Sequence, residues 1–176
     1  MRIIAKKSRL KGSVTIPGSK SHTIRAVAIA SLAGGQSLIH NPLESSDTMS
    51  AAACYRALGA KIDTTDPRLW RVTGTDGKIT PPKEIIDVGN SGTTLRIAMG
   101  SAALARPGQT TTFTGDEQIR TRPVGPLLDS LNDLGAKCVS INNNGKTPLV
   151  IGGKLTGGRT AIAACLLYTS PSPRDR

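Results

Sequence analysis

The chain has few aromatic side chains and no long apolar run. Its 176 residues include one Phe, one Trp and two Tyr, whereas proteins that hold single-stranded nucleic acid usually stack its bases on aromatic side chains. No apolar run approaches the roughly 20 residues that a transmembrane helix needs. The three cysteines show neither metal-ligand spacing nor the even count of a secreted disulfide framework. We therefore expect a cytoplasmic protein without a metal site or a structural disulfide.

Acidic residues are also scarce. The chain has 12 Asp and Glu against 23 Lys and Arg, which gives a formal net charge of +11. Such an excess of positive charge favours an anionic partner, and both nucleic acids and phosphorylated metabolites qualify. Because aromatic residues are so few, the composition favours small phosphorylated ligands and argues against nucleic acid.

The other residues indicate a globular protein built from many short elements. Hydrophobic residues make up 38% of the chain, which is enough to bury one core, or a core and part of another. The 19 Gly and 11 Pro are spread along the chain at apparent turns and form no low-complexity block.

Two stretches of the sequence follow one plan, offset by about seventy residues, which indicates a repeat of whole supersecondary units. In the first, the pattern predicts helices over 18–33 and 47–58 and strands over 37–40, 61–64 and 70–73. In the second, it predicts helices over 89–105 and 123–134 and strands over 111–114, 137–141 and 148–151. The tetrad Leu-Gly-Ala-Lys follows the second helix of each unit, at 58–61 and 134–137, where Gly should end the helix in the left-handed conformation.

Each unit is therefore interpreted as βαβαββ, and the fold class as α/β (α+β). A unit of this kind buries its helices against its own sheet and against neighbouring units. Two copies leave a face for a third, and the residues after Ile151 are too few to supply it.

The start of the first predicted helix is a candidate anion site. Lys20, Ser21 and Arg25 lie there, with Ser21 and Arg25 one turn apart on one face. Backbone N–H groups and the positive end of the helix dipole favour carboxylate or phosphate, and Lys and Arg add charge. A solvated cationic helix start explains the spacing equally well.

The second unit repeats this arrangement. Residues 89–94, Gly-Asn-Ser-Gly-Thr-Thr, open the helix that carries Arg96, although a Gly-rich turn with capping hydroxyls is the commoner explanation of such a run. Arg120 and Arg122 precede Pro123, and in an extended segment they would point the same way, towards a shared anion. Asp47 is either a helix cap or the partner of one of these cations. His22 and His40 lack neighbours spaced for a metal site.

These motifs together resemble those of the enolpyruvylshikimate-phosphate synthases. They are Pro-Gly-Ser-Lys-Ser at 17–21 with Arg25, the Gly-Asn-Ser-Gly-Thr-Thr run at 89–94 with Arg96, and Arg122-Pro123. The resemblance covers about residues 1–164. It implies an inside-out α/β barrel fold with two domains of three βαβαββ units each. This chain would hold about two units of the amino-terminal domain, and its first strand, about residues 1–8, is a candidate member of the second domain.

The resemblance also implies a reaction. The family transfers the enolpyruvyl group of phosphoenolpyruvate to the 5-hydroxyl of shikimate 3-phosphate and releases phosphate, with no cofactor. Lys20 would contact both substrates as a catalytic residue, and Ser21 and Arg25 would bind shikimate 3-phosphate. Besides Lys20, the residues that would bind phosphoenolpyruvate are Asn90, Gly92, Thr93 and Arg122. The residues that would support the site are Asp47, Arg96 and Arg120. The acid and base would come from the second domain, so we expect the fragment to be inactive alone. We also expect the complete protein to be a monomer.

Two alternatives belong beside this interpretation. UDP-N-acetylglucosamine enolpyruvyl transferase shares the fold and the donor, but its first motif normally has Asn after the Lys, where this chain has Ser21. A basic RNA-binding or RNA-end-processing module would account for the charge alone. Binding that falls steeply with salt and ignores shikimate 3-phosphate would favour it.

The last residues suggest a break in the native sequence. Residues 165–175, Cys-Leu-Leu-Tyr-Thr-Ser-Pro-Ser-Pro-Arg-Asp, have no helical period and contain two prolines. A natural disordered tail is one explanation. However, the run matches, residue for residue, one reading frame of a transposase adapter used in preparing sequencing libraries. We therefore expect residues 165–176 to be a non-native tail and the native chain to continue past about Ala164.

Overall fold

The computed structural model describes residues 11–162, together with Ile4 and Arg9. Two expectations lie outside these described residues. One concerns the first strand at about residues 1–8, of which only Ile4 is described, and the other concerns the tail at 165–176.

The first unit contains two helices and an antiparallel sheet. Its elements, in chain order, are α1 (Lys20–Leu32), β1 (Gln36–His40), α2 (Ser46–Ala57), β2 (Lys61–Asp66) and β3 (Leu69–Thr73). The strands are ordered β1-β3-β2, with both pairings antiparallel. All five predicted elements are confirmed, with small differences at their ends.

The second unit repeats this arrangement with two additions. Its elements are β4 (Ile86–Asp87), α3 (Gly92–Ala102), β5 (Thr110–Thr114), α4 (Glu117–Thr121), α5 (Gly125–Asp133), β6 (Lys137–Ser140) and β7 (Leu149–Gly152). The sheet is ordered β4-β5-β7-β6, and β4 pairs with β5 in parallel. Strand β4 and the short helix α4 were not specified by the sequence pattern.

Helix α4 corrects one prediction and shifts another. The segment before Pro123 is helical as far as Thr121, not extended, because Asp116 caps the helix by accepting a hydrogen bond from the Ile119 N–H and because Ile119 is fully buried. The next helix begins at Gly125, so its first-turn proline is Pro126 and not Pro123.

The two units differ at their opening strands. In the second unit, β4 covers the edge of β5 and leads into the fully buried Val88. In the first unit, residues 13–16 pair with no strand of the part that the structure describes, and Val14 and Ile16 are 83% and 77% exposed. The first sheet therefore has three strands among the described residues, where βαβαββ would give four.

The core lies between the helices and the two sheets. Trp70, Tyr55 and Phe113 are its largest fully buried side chains. Helix α1 packs on α2 and α3, and a buried 2.8 Å hydrogen bond between the hydroxyls of Tyr55 and Ser101 joins α2 to α3, and thus one unit to the other. No helix of the described residues is long and apolar enough to cross a membrane.

Glycine ends the second helix of each unit as predicted. Gly59 follows α2 with φ of 110°, and Gly135 follows α5 with φ of 97°. A side chain at either position would be strained, since L-residues other than glycine rarely adopt positive φ. These turns lead from α2 into β2 and from α5 into β6. The site described below lies at the opposite, amino-terminal ends of helices.

Candidate anion-binding site

Three helices begin around one shallow cavity. Helices α1, α2 and α3 have N-cap residues Ser19, Ser45 and Ser91, and each serine hydroxyl accepts a hydrogen bond from a backbone N–H of the first turn. The cavity has a volume of about 240 Å³ and is lined by Lys20, Asp47, Asn90, Gly92, Thr93, Arg96 and Arg122. Residues from both units thus meet where helix dipoles favour negative charge.

Charge in this cavity is unbalanced. Its lining contains three cations, Lys20, Arg96 and Arg122, and one carboxylate, Asp47. The remaining excess of two positive charges suits a ligand with two negative charges, such as a phosphate monoester.

A close ion pair fixes the lysine of the first motif. The Lys20 ammonium lies 2.7 Å from Oδ2 of Asp47, with the lysine side chain 52% exposed and the aspartate side chain 18% exposed. Asp47 lies in the first turn of α2, where the dipole favours a carboxylate. Asp47 therefore pairs with Lys20 and not with Arg120 or Arg122, and the cap of α2 is Ser45 and not Asp47.

The loop that opens the second unit is held in a left-handed conformation that favours glycine. Gly89 has φ of 56°, and its N–H donates to Oδ1 of Asp87 over 2.8 Å. This loop brings Asn90 and Thr93 to the cavity, and the hydroxyl of Ser91 caps the helix behind them.

Arg96 joins two segments of the cavity wall. Its Nη1 donates to the carbonyl of Gly92 and its Nη2 to the carbonyl of Pro123, each over 3.2 Å. At Gly92, an added β-carbon would lie 3.1 Å from Nη1 of both Arg96 and Arg122. The absence of a side chain at Gly92 therefore lets two guanidinium groups approach the start of α3.

Three predicted site residues lie outside this cavity lining. Ser21 and Arg25 are exposed on α1, and the Arg25 guanidinium donates to the Ser21 carbonyl over 3.0 Å. Arg120 turns away, and its Nε donates to the Gly115 carbonyl over 2.9 Å. The prediction that Arg120 and Arg122 point the same way is therefore wrong, because Arg120 lies within α4 and Arg122 caps its end.

A larger cavity lies near the other ends of the helices. It has a volume of about 370 Å³ and its lining includes Lys78, Leu104 and Arg106. The turn at its rim is bound to the end of α1, where Gly77 N–H donates to the Leu32 carbonyl. Helix carboxyl ends disfavour anions, so volume alone does not make this cavity the better anion site.

A family model described as EPSP synthase (3-phosphoshikimate 1-carboxyvinyltransferase) matches residues 4–166. The chain belongs to the EPSP synthase family. This match confirms the resemblance that the three ordered motifs indicated.

Curated relatives of this chain carry the name that describes the family. The chain is 52% identical over 162 residues to a 3-phosphoshikimate 1-carboxyvinyltransferase of Acetivibrio thermocellus, a match that covers 92% of this chain and 38% of that protein. It is 45% identical over 159 residues to the one from Methanothermobacter thermautotrophicus, covering 90% of this chain and 37% of that protein. The chain thus spans little more than a third of the length of these curated relatives.

The fold agrees with solved structures of the family. EPSP synthase from Acinetobacter baumannii superposes with a TM-score of 0.75 at 25% identity, and the match covers 82% of this chain and 32% of that one. The mixed α/β architecture predicted from the repeat is confirmed, and the coverage fits part of a larger fold. Neither the sugar-nucleotide transferase nor the RNA-binding module is favoured by these matches.

Sequence reasoning missed the residues that hold the cavity together. Asp87, Gly115 and Asp116 contact the loop at 89–92 or the turn before Arg122, and none was predicted to matter. Asp116, followed by the acidic Glu117 and then by the apolar Ile119, was a weak signal for the start of α4.

Proposed function

We propose that this chain provides the amino-terminal side of the site at which an EPSP synthase transfers an enolpyruvyl group from phosphoenolpyruvate to shikimate 3-phosphate. The observation that carries the proposal is the meeting of Lys20, Arg122 and the loop at 89–93 around one cavity at three helix N-termini. Both substrates are polyanions, and the cavity lining carries three cations against one carboxylate.

The proposed roles divide between the two units. Lys20 contacts both substrates as the catalytic residue of this chain, and Asp47 orients its ammonium. Ser21 and Arg25, exposed on α1 beside Lys20, bind shikimate 3-phosphate. Phosphoenolpyruvate is held by the loop and turn of the second unit, through Asn90, Gly92, Thr93 and Arg122, with Arg96 and Arg120 supporting these segments from behind.

The proposed chemistry has two steps. A proton adds to the methylene carbon of phosphoenolpyruvate while the 5-hydroxyl oxygen bonds to the neighbouring carbon and loses its own proton, which gives a tetrahedral intermediate. The bond from that carbon to the phosphate oxygen then breaks as a proton leaves the methyl group, so the enol double bond re-forms and inorganic phosphate departs. Proton transfers of this kind need an acid and a base, which we expect from the rest of the complete protein. Residues of this chain bind and orient the anions.

The wider setting follows from the same proposal. The substrates are two small molecules of the pathway to chorismate and the aromatic amino acids, and the reaction needs no metal or organic cofactor. The complete protein acts in the cytoplasm as a monomer and binds neither nucleic acid nor membranes. The scarcity of aromatic side chains supports the exclusion of single-stranded nucleic acid.

A chimera tests the proposed function. Residues 1–162 of this chain would replace the matching segment of the Acetivibrio thermocellus relative, and phosphate release would be measured with both substrates present. We expect the chimera to turn over, and the 176-residue chain alone to show no turnover and at most weak binding of shikimate 3-phosphate by calorimetry, because the rest of the site is absent. Activity of the chain alone would contradict the expectation that the acid and the base come from the rest of the complete protein.

The control is the unaltered Acetivibrio thermocellus enzyme, measured under the same conditions. A folded chimera without activity would contradict the proposal, since the two chains share 52% of their residues over the exchanged segment. Salt-sensitive binding of the chimera to RNA, without binding to shikimate 3-phosphate, would instead support the nucleic-acid alternative.

A further inference from the structure

Gly115 allows two segments of the cavity wall to approach closely. It lies between β5 and α4, and a β-carbon added there would lie 2.8 Å from the carbonyl oxygen of Gly89. The same β-carbon would lie 2.5 Å from Cγ2 of Ile119 and 2.7 Å from its Cβ. Real β-carbons avoid such distances, so any side chain at Gly115 must displace the loop, the helix or both.

The displaced groups lead directly to the site. Gly89 begins the loop that carries Asn90 and Thr93, and its carbonyl accepts a 3.0 Å hydrogen bond from the N–H of Asp116. Ile119 is fully buried in α4, and its Cδ1 lies 3.5 Å from the position that a β-carbon on Gly92 would occupy. A shift of Ile119 would therefore press on Gly92.

The position of Arg122 also depends on helix α4. Arg122 is the C-cap of α4, and its backbone N–H donates to the carbonyl of Ile119. Movement of Ile119 thus carries Arg122 with it, and the spacing between the loop and this arginine depends on the contact at Gly115.

Gly18 makes a matching close contact in the first unit, and that contact affects other segments of the site. A β-carbon on Gly18 would lie 2.6 Å from the carbonyl oxygen of Asn41 and 2.9 Å from the N of Leu43. Leu43 is bonded to both neighbouring helices, since its N–H donates to Thr23 of α1 and its carbonyl accepts from Thr48 of α2. Displacement at Gly18 would therefore disturb the starts of α1 and α2, where Lys20 and Asp47 lie.

We infer that Gly115 is a positioning residue for the phosphoenolpyruvate side of the site alone, whereas Gly18 positions the lysine that serves both substrates. The inference rests on the proposed function for the identity of the ligands. The atoms nearest to a β-carbon added at Gly115 belong to Gly89 and Ile119, which lie in the segments that carry Asn90 and Arg122, so we expect its effect to be confined to one substrate. Small misplacements of binding groups are costly in catalysis, and a shift of about 1 Å can lower rates by up to about a hundredfold.

The test compares alanine substitutions in the chimera. We expect Gly115→Ala to raise the KM for phosphoenolpyruvate by about tenfold or more and to leave the KM for shikimate 3-phosphate within about threefold. Gly18→Ala should raise both KM values. The matched control is Gly34→Ala, which lies beyond the far end of α1 and whose β-carbon would meet only the exposed side chain of Asp76. It should change neither value.

Several outcomes would overturn the inference. A Gly115→Ala enzyme with equal increases in both KM values, or with no increase, contradicts the substrate-specific role. If that variant does not fold, Asp87→Ala takes its place, because it removes the carboxylate that accepts from Gly89 N–H without adding atoms. An unchanged KM for phosphoenolpyruvate in Asp87→Ala would then contradict the inference.

A second measurement separates this inference from the proposed function. Hydrogen exchange in the 176-residue chain needs no substrate, and Gly115→Ala should speed exchange of the Asp116 amide by about tenfold relative to amides in the middle of α1. Unchanged exchange at Asp116 would overturn the inference even if the chimera is active. Faster exchange at Asp116 in the 176-residue chain, together with a chimera that shows no activity, would support the contact at Gly115 and contradict the proposed function.

Discussion

The ammonium of Lys20 lies 2.7 Å from the carboxylate of Asp47, which joins the starts of α1 and α2 through two residues that are 27 positions apart in the chain. The lysine side chain is 52% exposed, so the pair adds little to the stability of the fold, within the roughly 0–1 kcal/mol typical of surface pairs. Its consequence is geometric, because it holds a flexible side chain over the cavity before a ligand arrives. The first two predictions follow from this relationship.

Replacement of Lys20 by Ala should nearly abolish turnover of the chimera. One compact cation is proposed to serve both substrates, and charge-assisted hydrogen bonds contribute about 1.5–3 kcal/mol each. Steady-state kinetics should show kcat/KM reduced by roughly a hundredfold or more. Lys61→Ala, at an exposed lysine on β2, is the matched control and should behave as the parent. A near-normal kcat/KM for Lys20→Ala would remove this lysine from the site.

Asp47→Asn should separate function from stability. The amide keeps the size of the side chain but loses the charge that orients Lys20, so kcat/KM of the chimera should fall by about tenfold. The free energy of unfolding should change by less than about 1 kcal/mol, because the pair is partly exposed. Urea denaturation and kinetics on the same samples check both parts. A loss of stability that accounts for the lost activity would contradict the orienting role.

Tyr55→Phe should weaken the junction between the two units. Ser101 donates its hydroxyl proton to the Ile97 carbonyl, so the buried Tyr55 hydroxyl is the donor in the bond to Ser101. Its removal should lower the free energy of unfolding by about 0.5–1.5 kcal/mol. A double-mutant cycle with Ser101→Ala measures the coupling, and a coupling energy near zero would show that the bond contributes nothing.

The chain should lose stability in alkaline solution partly through Cys54. Burial raises the pKa of the Cys54 thiol from its ordinary value of 9.0 to about 12. The unfolded chain then releases this proton first, so the contribution is fully present below pH 9 and is lost as the pH rises from 9 towards 12. Urea denaturation at several pH values should show a decline steeper in the parent than in Cys54→Ala, by at most about 1.4 kcal/mol per pH unit. Parallel declines would contradict the assignment.

The proposal that residues 165–176 are non-native has a direct genetic test. Amplification of the locus from its source DNA across the codon of Ala164 should give an open frame that continues into a third unit, with a Ser-Gln turn near its start. A clean read through Pro173, Arg174, Asp175 and Arg176 to a stop codon would show that the tail is native.

Local steric rules made much of the fold predictable. The repeated Leu-Gly-Ala-Lys tetrads located two helix ends, and Gly59 and Gly135 have the positive φ that the pattern requires. The serines before α1 and α3 cap those helices as their types favour. Such features depend on residues close in the chain, which a sequence displays directly.

Helix α4 shows where that reasoning fails. Five residues are too few for a helical period to be visible. The position of the helix depends on the Asp116 cap and on burial of Ile119 beside Gly92 and Gly115. This helix decides that Arg122 faces the cavity and that Arg120 does not. The two arginines are equivalent by type and spacing, so only packing separates them.

The order of the motifs, the repeat and the excess of positive charge can be read directly from the sequence, because they are properties of residue type and of short spacing along the chain. Three further features depend on packing: Lys20 contacts Asp47, Arg96 bridges two segments, and Gly115 lets a loop and a helix approach closely. The contacts of Lys20 with Asp47 and of Arg96 with Pro123 each join residues that are 27 positions apart in the chain. Their distances depend on how helices and sheets pack in three dimensions, and close packing leaves no room for the side chain that most other residues would add at Gly115.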